Sequence, residues 1–271
     1  MSLCVTLNNG VKMPVIGLGV FLNTGRDCVE SVKTALQLGY RHIDTAQMYG
    51  NEREVGEGIR LSGIPRNQIF VTTKACTSGY LATKQGIESS LQAFGFPYFD
   101  LILIHWSMSD NLGTYKALEE AYKQGKCRAI GLSNFNEREF LNIYNNFQTK
   151  PTVNQIETHL YFGQKKMHNF LSKYGCIHES WSPFGGSGAY VLQDETLKKV
   201  AAKYGKTPAQ VLLRFLLHCS IVVIPKTSNR NRMIENLNIF NFKLSDQDIK
   251  ILSKLDTAKG KNWSGMGEEF Y

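Results

Sequence analysis

The 271-residue sequence contains no run approaching the roughly 18 apolar residues a membrane helix needs, so no span is expected. Its opening, Met1-Ser2-Leu3-Cys4, lacks a basic stretch leading into an apolar one, so no secretory signal is expected either. Paired cysteines are also missing. The six thiols, Cys4, Cys28, Cys76, Cys127, Cys176 and Cys219, show no C-x-x-C spacing, which argues against a disulfide framework and a zinc cluster. A reduced, cytoplasmic, metal-free protein is the expectation. There is no internal repeat, no low-complexity run and no Pro/Gly/Ser linker, so one domain over residues 1–271 is expected. A strong excess of one charge is confined to one end. Residues 1–195 hold 18 basic and 17 acidic side chains, while residues 196–271 hold 13 and 6. The C-terminal cations are dispersed and not interleaved with aromatics, which disfavours nucleic acid and suits a local site for a small phosphorylated ligand.

With 42% hydrophobic and 20% charged residues, the chain can fill a sizeable core. It opens with two short alternating segments about Asn9-Gly10 within Val5–Met13, the strongest short-range hairpin signal. Strand candidates then follow at Val15–Val20, Tyr40–Asp44, Ile69–Thr73, Leu101–His105, Arg128–Leu132, Val153–Ile156, Cys176–Trp181 and Ile221–Ile224. Helical spacing separates them, as in Cys28–Leu38, Thr83–Phe94 and Pro208–Cys219. Such alternation requires parallel strands with right-handed crossovers, and eight strand-helix units in this length match an α/β fold of the (β/α)8 TIM-barrel kind. A doubly wound sheet is the competitor. Its dinucleotide fingerprint begins at Gly17-Leu18-Gly19, but Leu22 occupies the third glycine position and the fingerprint fails.

In a barrel, chemistry gathers at the C-terminal strand ends. Asp44, Lys74 and His105 stand at three successive ends, Ser133 and Asn134 at the next, Gln155 and Glu157 at the sixth. Tyr49 lies in the loop after Asp44. A phenol ordinarily titrates near pH ~10, so a neighbouring ammonium such as Lys74 is expected to lower it, with Asp44 orienting Lys74 and His105 hydrogen-bonding a substrate oxygen. That set can protonate an oxygen while hydride from a cofactor reaches carbon.

Several segments carry a family resemblance: Gly39-Tyr40-Arg41-His42-Ile43-Asp44-Thr45-Ala46-Gln47-Met48-Tyr49-Gly50-Asn51-Glu52, Val71-Thr72-Thr73-Lys74, Leu103-Ile104-His105-Trp106, Ile130-Gly131-Leu132-Ser133-Asn134-Phe135 and Ile224-Pro225-Lys226-Thr227. In order and spacing they resemble the aldo-keto reductase superfamily along essentially the whole chain. The short length is similar to its microbial and protozoan members, including the prostaglandin F synthase and 2,5-diketogluconate reductase types. The resemblance implies reduction of aldehydes and ketones with NADPH, and a catalytic tetrad of Asp44, Tyr49, Lys74 and His105; a monomer acting on a small-molecule carbonyl substrate is expected. It further implies that Ser133, Asn134 and Gln155 hold the nicotinamide carboxamide. Trp181, in Trp181-Ser182-Pro183, would stack on the ring, with Ser182 beside it among the cofactor residues. Lys226, Thr227, Arg232, Glu235 and Asn236 would hold the adenosine and its 2′-phosphate. Independently, Lys226 follows the last strand, where barrel phosphate sites lie, and arginine suits phosphate.

Departures from the family pattern concern substrate. Lys74-Ala75-Cys76 replaces the common Lys-Leu-Trp, Phe21 stands where tryptophan is common, and Trp106 is retained. A wider pocket bounded by Phe21, Cys76 and Trp106 is therefore expected, with Asn262–Tyr271 closing its mouth as a C-terminal substrate loop. Glu157-Thr158-His159-Leu160 lacks the proline often found after the histidine, and His159 is expected to be structural. Two other functions compete: a barrel lyase or aldolase using Lys74 as Schiff-base nucleophile, and a non-catalytic NADPH-binding sensor or structural protein. Trapping with borohydride would reveal the first, and turnover of a carbonyl would exclude the second.

Overall fold

The computed structural model describes residues 3–186 and 188–258, so the expected substrate loop Asn262–Tyr271 lies outside the described residues. The chain opens as an antiparallel hairpin, β1 (Cys4–Thr6) and β2 (Lys12–Pro14), with Thr6 opposite Lys12. Gly10 closes its turn at φ +87°, a left-handed conformation that glycine adopts without a Cβ clash.

Eight parallel strands follow: β3 (Leu18–Gly19), β4 (His42–Asp44), β5 (Phe70–Ala75), β6 (Phe99–Ile104), β7 (Cys127–Ser133), β8 (Val153–Glu157), β9 (Ile177–Trp181) and β10 (Val222–Val223). They are hydrogen-bonded side by side in chain order. The sheet closes on itself, because Ile16 bridges Val223 and Gly19 bridges Lys226 in parallel. Gly17 N donates to Val223 O at 2.9 Å and Val223 N to Val15 O at 3.1 Å across the seam. The expected barrel is present, though its seam strands are shorter than expected. A Cβ on Gly17 would lie 2.8 Å from the His42 ring, so the close approach of β3 depends on that glycine.

Helices α1 (Gly25–Leu38), α2 (Glu52–Ser62), α3 (Tyr80–Phe94), α4 (Asn111–Lys123), α5 (Glu137–Asn146) and α6 (Lys165–Lys173) each link successive strands. Helices α7 (Glu195–Lys203) and α8 (Pro208–His218) both lie between β9 and β10, and α9 (Arg230–Leu237) and α10 (Asp246–Ser253) follow β10. Local sequence sets the helix starts. Asn136 and Glu139 form a capping box on α5, and Thr207 and Gln210 form another on α8, with Pro208 in its first turn.

Strand periodicity divides the interior. Phe70, Leu101, Leu103, Ala129, Val153 and Val222 pack together with Leu7 and Met13 of the hairpin, an apolar plug at one end of the barrel. The alternate residues Val71, Ala75, Ile102, Ile104, Ile130, Leu132 and Ile156 belong to the larger core shared with the helices. The parity of the plug residues brings Asp44, Lys74, His105, Ser133, Gln155 and Glu179 to the opposite end of the lumen.

Candidate active site

Lys74 on β5 is fully buried, and its ammonium has three partners: Asp44 Oδ1 on β4 at 2.6 Å, Thr45 O at 2.9 Å and Tyr49 OH at 3.4 Å. Burial works to lower the Lys74 pKa, but the charge of Asp44, then Tyr49, outweighs it and the pKa is raised. The phenol does not behave as its sequence suggests. Burial raises the Tyr49 pKa by more than Lys74 lowers it, so the hydroxyl keeps its proton well above neutrality. Tyr49 ends a short 3-10 turn, Gln47–Tyr49, which Gly50 closes at φ +64°. Gln47 fixes the turn from outside the barrel, accepting from Cys76 N at 3.0 Å and donating to Ser90 on α3 at 3.0 Å. Asn51 anchors the same loop through Val20 O at 2.9 Å and Asn23 O at 2.7 Å.

His105 follows β6 and presents its ring edge-on to Tyr49, with centroids 5.8 Å apart. Burial and then the Lys74 charge push its pKa down to about 3, so the imidazole is neutral at physiological pH. Phe21 packs against the other side of Tyr49 at 5.0 Å, and Trp106 lies 6.1 Å from His105 and 6.5 Å from Trp181. Phe21 and Trp106 thus each pack on a member of the Tyr49–His105 pair. The adjacent pair from the third barrel strand divides. Because Lys74 faces the lumen, Ala75 faces the helices and is wholly buried in the outer core, so it does not widen the pocket. Cys76 is exposed beyond the strand end.

Ser133, Asn134, Gln155 and Trp181 form one interlocked group. Ser133 Oγ donates to Gln155 O at 2.9 Å, and Asn134 Nδ2 donates to Ser133 Oγ at 3.0 Å and His105 O at 3.1 Å. Trp181 Nε1 donates to Asn134 Oδ1 at 2.9 Å. Asn134 and Ser182 take φ +60° and +50°, and the Asn134 side chain is fixed by these bonds. After β10 the expected residues separate. Lys226 and Arg232 are exposed, and Thr227 and Asn236 are buried. Asn236 engages the Tyr40 hydroxyl, and Glu235 accepts from Thr207 of the α8 cap.

Sequence reading missed Glu179, His42 and Thr72. Glu179 accepts from Gln155 at 2.8 Å and stands 3.8 Å from His42 Nε2, which contacts Thr72 at 3.1 Å. The available signal was His178-Glu179-Ser180, three polar residues in succession within a buried strand. His159 lies 3.4 Å from Glu157 and receives Tyr161 N at 3.3 Å, a structural tie at the turn as expected. Among the described residues no cluster of His, Cys, Asp or Glu is arranged to hold a metal, and no helix is long and apolar enough to cross a membrane.

At the polar end of a parallel barrel the chain thus holds a phenol beside a buried ammonium and a neutral imidazole, a proton-donating site. The family follows from comparison with known proteins. Residues 16–257 match the aldo/keto reductase family model, and the chain belongs to that family. It is 41% identical over 261 residues to the 9,11-endoperoxide prostaglandin H2 reductase of Trypanosoma cruzi, covering 94% of this chain and 92% of that protein. It is 42% identical over 256 residues to the glyoxal reductase of Bacillus subtilis, covering 93% and 92% respectively. The structure of the Bombyx mori aldo-keto reductase in complex with NADP superposes with a TM-score of 0.89 at 30% identity, covering 96% of this chain and 94% of that one.

Proposed function

We propose that this protein is an NADPH-dependent carbonyl reductase in which Tyr49 is the general acid. The observation that carries the reading is the arrangement of Asp44, Lys74, Tyr49 and His105, in which a protonated phenol is held beside a fixed ammonium and a neutral imidazole. The residues fit the cofactor by their chemistry. Gln155 Nε2 donates to Asp44 Oδ2 at 2.8 Å and to Glu179 Oε2 at 2.8 Å, so both amide hydrogens point inward and its oxygen is left to accept from a primary carboxamide. Trp181 offers a half-buried ring for stacking, and Lys226 and Arg232 offer exposed charge for the 2′-phosphate.

Bound NADPH supplies hydride to the carbonyl carbon. Tyr49 gives its hydroxyl proton to the carbonyl oxygen, and Lys74 stabilises the phenolate this leaves. His105, neutral, hydrogen-bonds the same oxygen without competing as an acid. Asp44 and Thr45 O keep the ammonium in place, and Phe21 and Trp106 limit water around the reacting atoms. The aldolase alternative loses support at Lys74. A Schiff-base nucleophile must shed a proton, and this ammonium has three acceptors and a raised pKa. Loss of NADPH absorbance against a panel of aldehydes, ketones and quinones, with NADH in parallel, tests the reading. No turnover of any carbonyl would overturn it.

A further inference from the structure

Glu179 is fully buried on β9, directly beside Gln155 in the parallel register, yet it touches none of the groups assigned to proton transfer. One of its oxygens, Oε1, is buried without a hydrogen-bond partner. Packing alone would be served better by an apolar residue, because a buried carboxyl with an unused oxygen costs stability. The geometry identifies its role. Gln155 Nε2 sits between a carboxyl from across the lumen, Asp44 Oδ2 at 2.8 Å, and one from the neighbouring strand, Glu179 Oε2 at 2.8 Å. One amide nitrogen has two hydrogens, and here each has its own acceptor. If the amide turned over, its oxygen would face both carboxyl oxygens, and at most one of them could offer a proton.

We propose that Glu179 is a positioning and specificity-determining residue that locks the Gln155 amide with its oxygen toward the ligand. The site then selects a primary carboxamide, which donates, over an acyl group that only accepts. With Glu179 removed, Asp44 alone holds the nitrogen through one hydrogen, and the second is free to be offered to a ligand. Burial, and next the charge of Asp44, push the Glu179 pKa up to about 8. Its inward acceptor Oε2 serves in either protonation state. The inference rests on the reading of Gln155 as the carboxamide site.

The test compares dissociation constants, from quenching of tryptophan emission, for NADP+ and its 3-acetylpyridine analogue, whose acetyl group has no N–H. The parent protein should prefer NADP+ by roughly five- to tenfold, about the worth of one hydrogen bond and the repulsion avoided. Glu179→Val should narrow that preference to less than about twofold, because the amide can then donate to the acetyl oxygen. Glu179→Gln, whose side-chain oxygen can still accept from Gln155, should keep the parental preference. A parent that binds both forms equally overturns the proposal whether or not the variants fold. So does a folded Glu179→Val protein with parental selectivity, provided that Gln155→Leu abolishes the selectivity. If Gln155→Leu instead leaves both affinities unchanged, the carboxamide reading itself is what fails.

Discussion

At the end of β5, Lys74 is wholly buried and its ammonium hydrogens have acceptors, whereas Lys226, following β10, is exposed and makes no ion pair with a described residue. The two lysines belong to one proposed site and follow opposite rules. A buried ammonium must be paired, because desolvating it alone would cost several kcal/mol, and the pairing fixes it for chemistry. An exposed cation costs little and is screened by salt until a ligand phosphate covers it. The polar end of the lumen is therefore preorganised by protein alone, while the basic rim is completed by what binds.

Breaking the buried side should have the larger effect. Tyr49→Phe deletes the transferable proton and keeps the ring packed against Phe21, so kcat should fall by about 10²–10⁴ with cofactor affinity nearly unchanged. Turnover within a few-fold of the parent would place the acid elsewhere.

The buried histidines sharpen the contrast through pH. Burial lowers His42, His105 and His178 from 6.5 to about 3, so the unfolded chain binds more protons in that window. Their contribution is intact above pH 6.5 and is lost as pH falls toward 3. The slope is on the order of 1.4 kcal/mol per pH unit for each group. Glu179, raised from 4.5 to about 8, acts in the opposite sense as pH rises through that range. Urea unfolding across pH should therefore show steep acid destabilisation that persists in high salt. A profile flat from neutrality to pH ~4 would contradict the burial of these imidazoles.

On the rim, Arg232→Ala should weaken NADPH by about 1.5–3 kcal/mol while sparing NADH, since only the 2′-phosphate differs. Raising the salt concentration should reproduce part of that loss in the parent. Equal weakening of both cofactors would return Arg232 to the solvated surface. The smallest effects are expected beside the pocket. Ala75→Leu overpacks the outer core and should cost about 1–3 kcal/mol of stability with no change in substrate preference. Cys76→Trp, at the exposed strand end, should raise KM for bulky ketones alone. A substrate panel graded by size separates the two, and a changed size preference in the Ala75 variant would put that residue back in the pocket wall.

Much of the site was legible because its residues end strand candidates: His105 directly after the apolar run Leu101–Ile104, Asp44 and Lys74 after mixed segments rich in β-formers. Asp44, Lys74 and His105 each succeed a stretch that has to be a buried strand, and the barrel rule then puts them on one face. The tyrosine could be named but its pKa could not, because sequence gives the neighbouring ammonium and not the depth of burial, and burial wins. Ala75 was misjudged for a related reason. Adjacent residues on a strand face opposite ways, so the parity that sends Lys74 into the lumen sends Ala75 into the helix layer. The protein partners of Glu235 and Asn236 were not legible for another cause: the α8 cap and Tyr40 meet α9 across long sequence separations.

By itself the sequence determined the hairpin, the alternation of strand and helix, the helix caps and the parity of each strand. These depend on side-chain period and local hydrogen bonding, which a short window contains. Tertiary structure decided which polar groups meet: Gln155 bridging Asp44 and Glu179, residues far apart in sequence, and the closure of β3 onto β10. Barrel closure brings these chain-distant residues into one small dry lumen. There desolvation and pairing, set by all the walls together, fix each group's charge and direction.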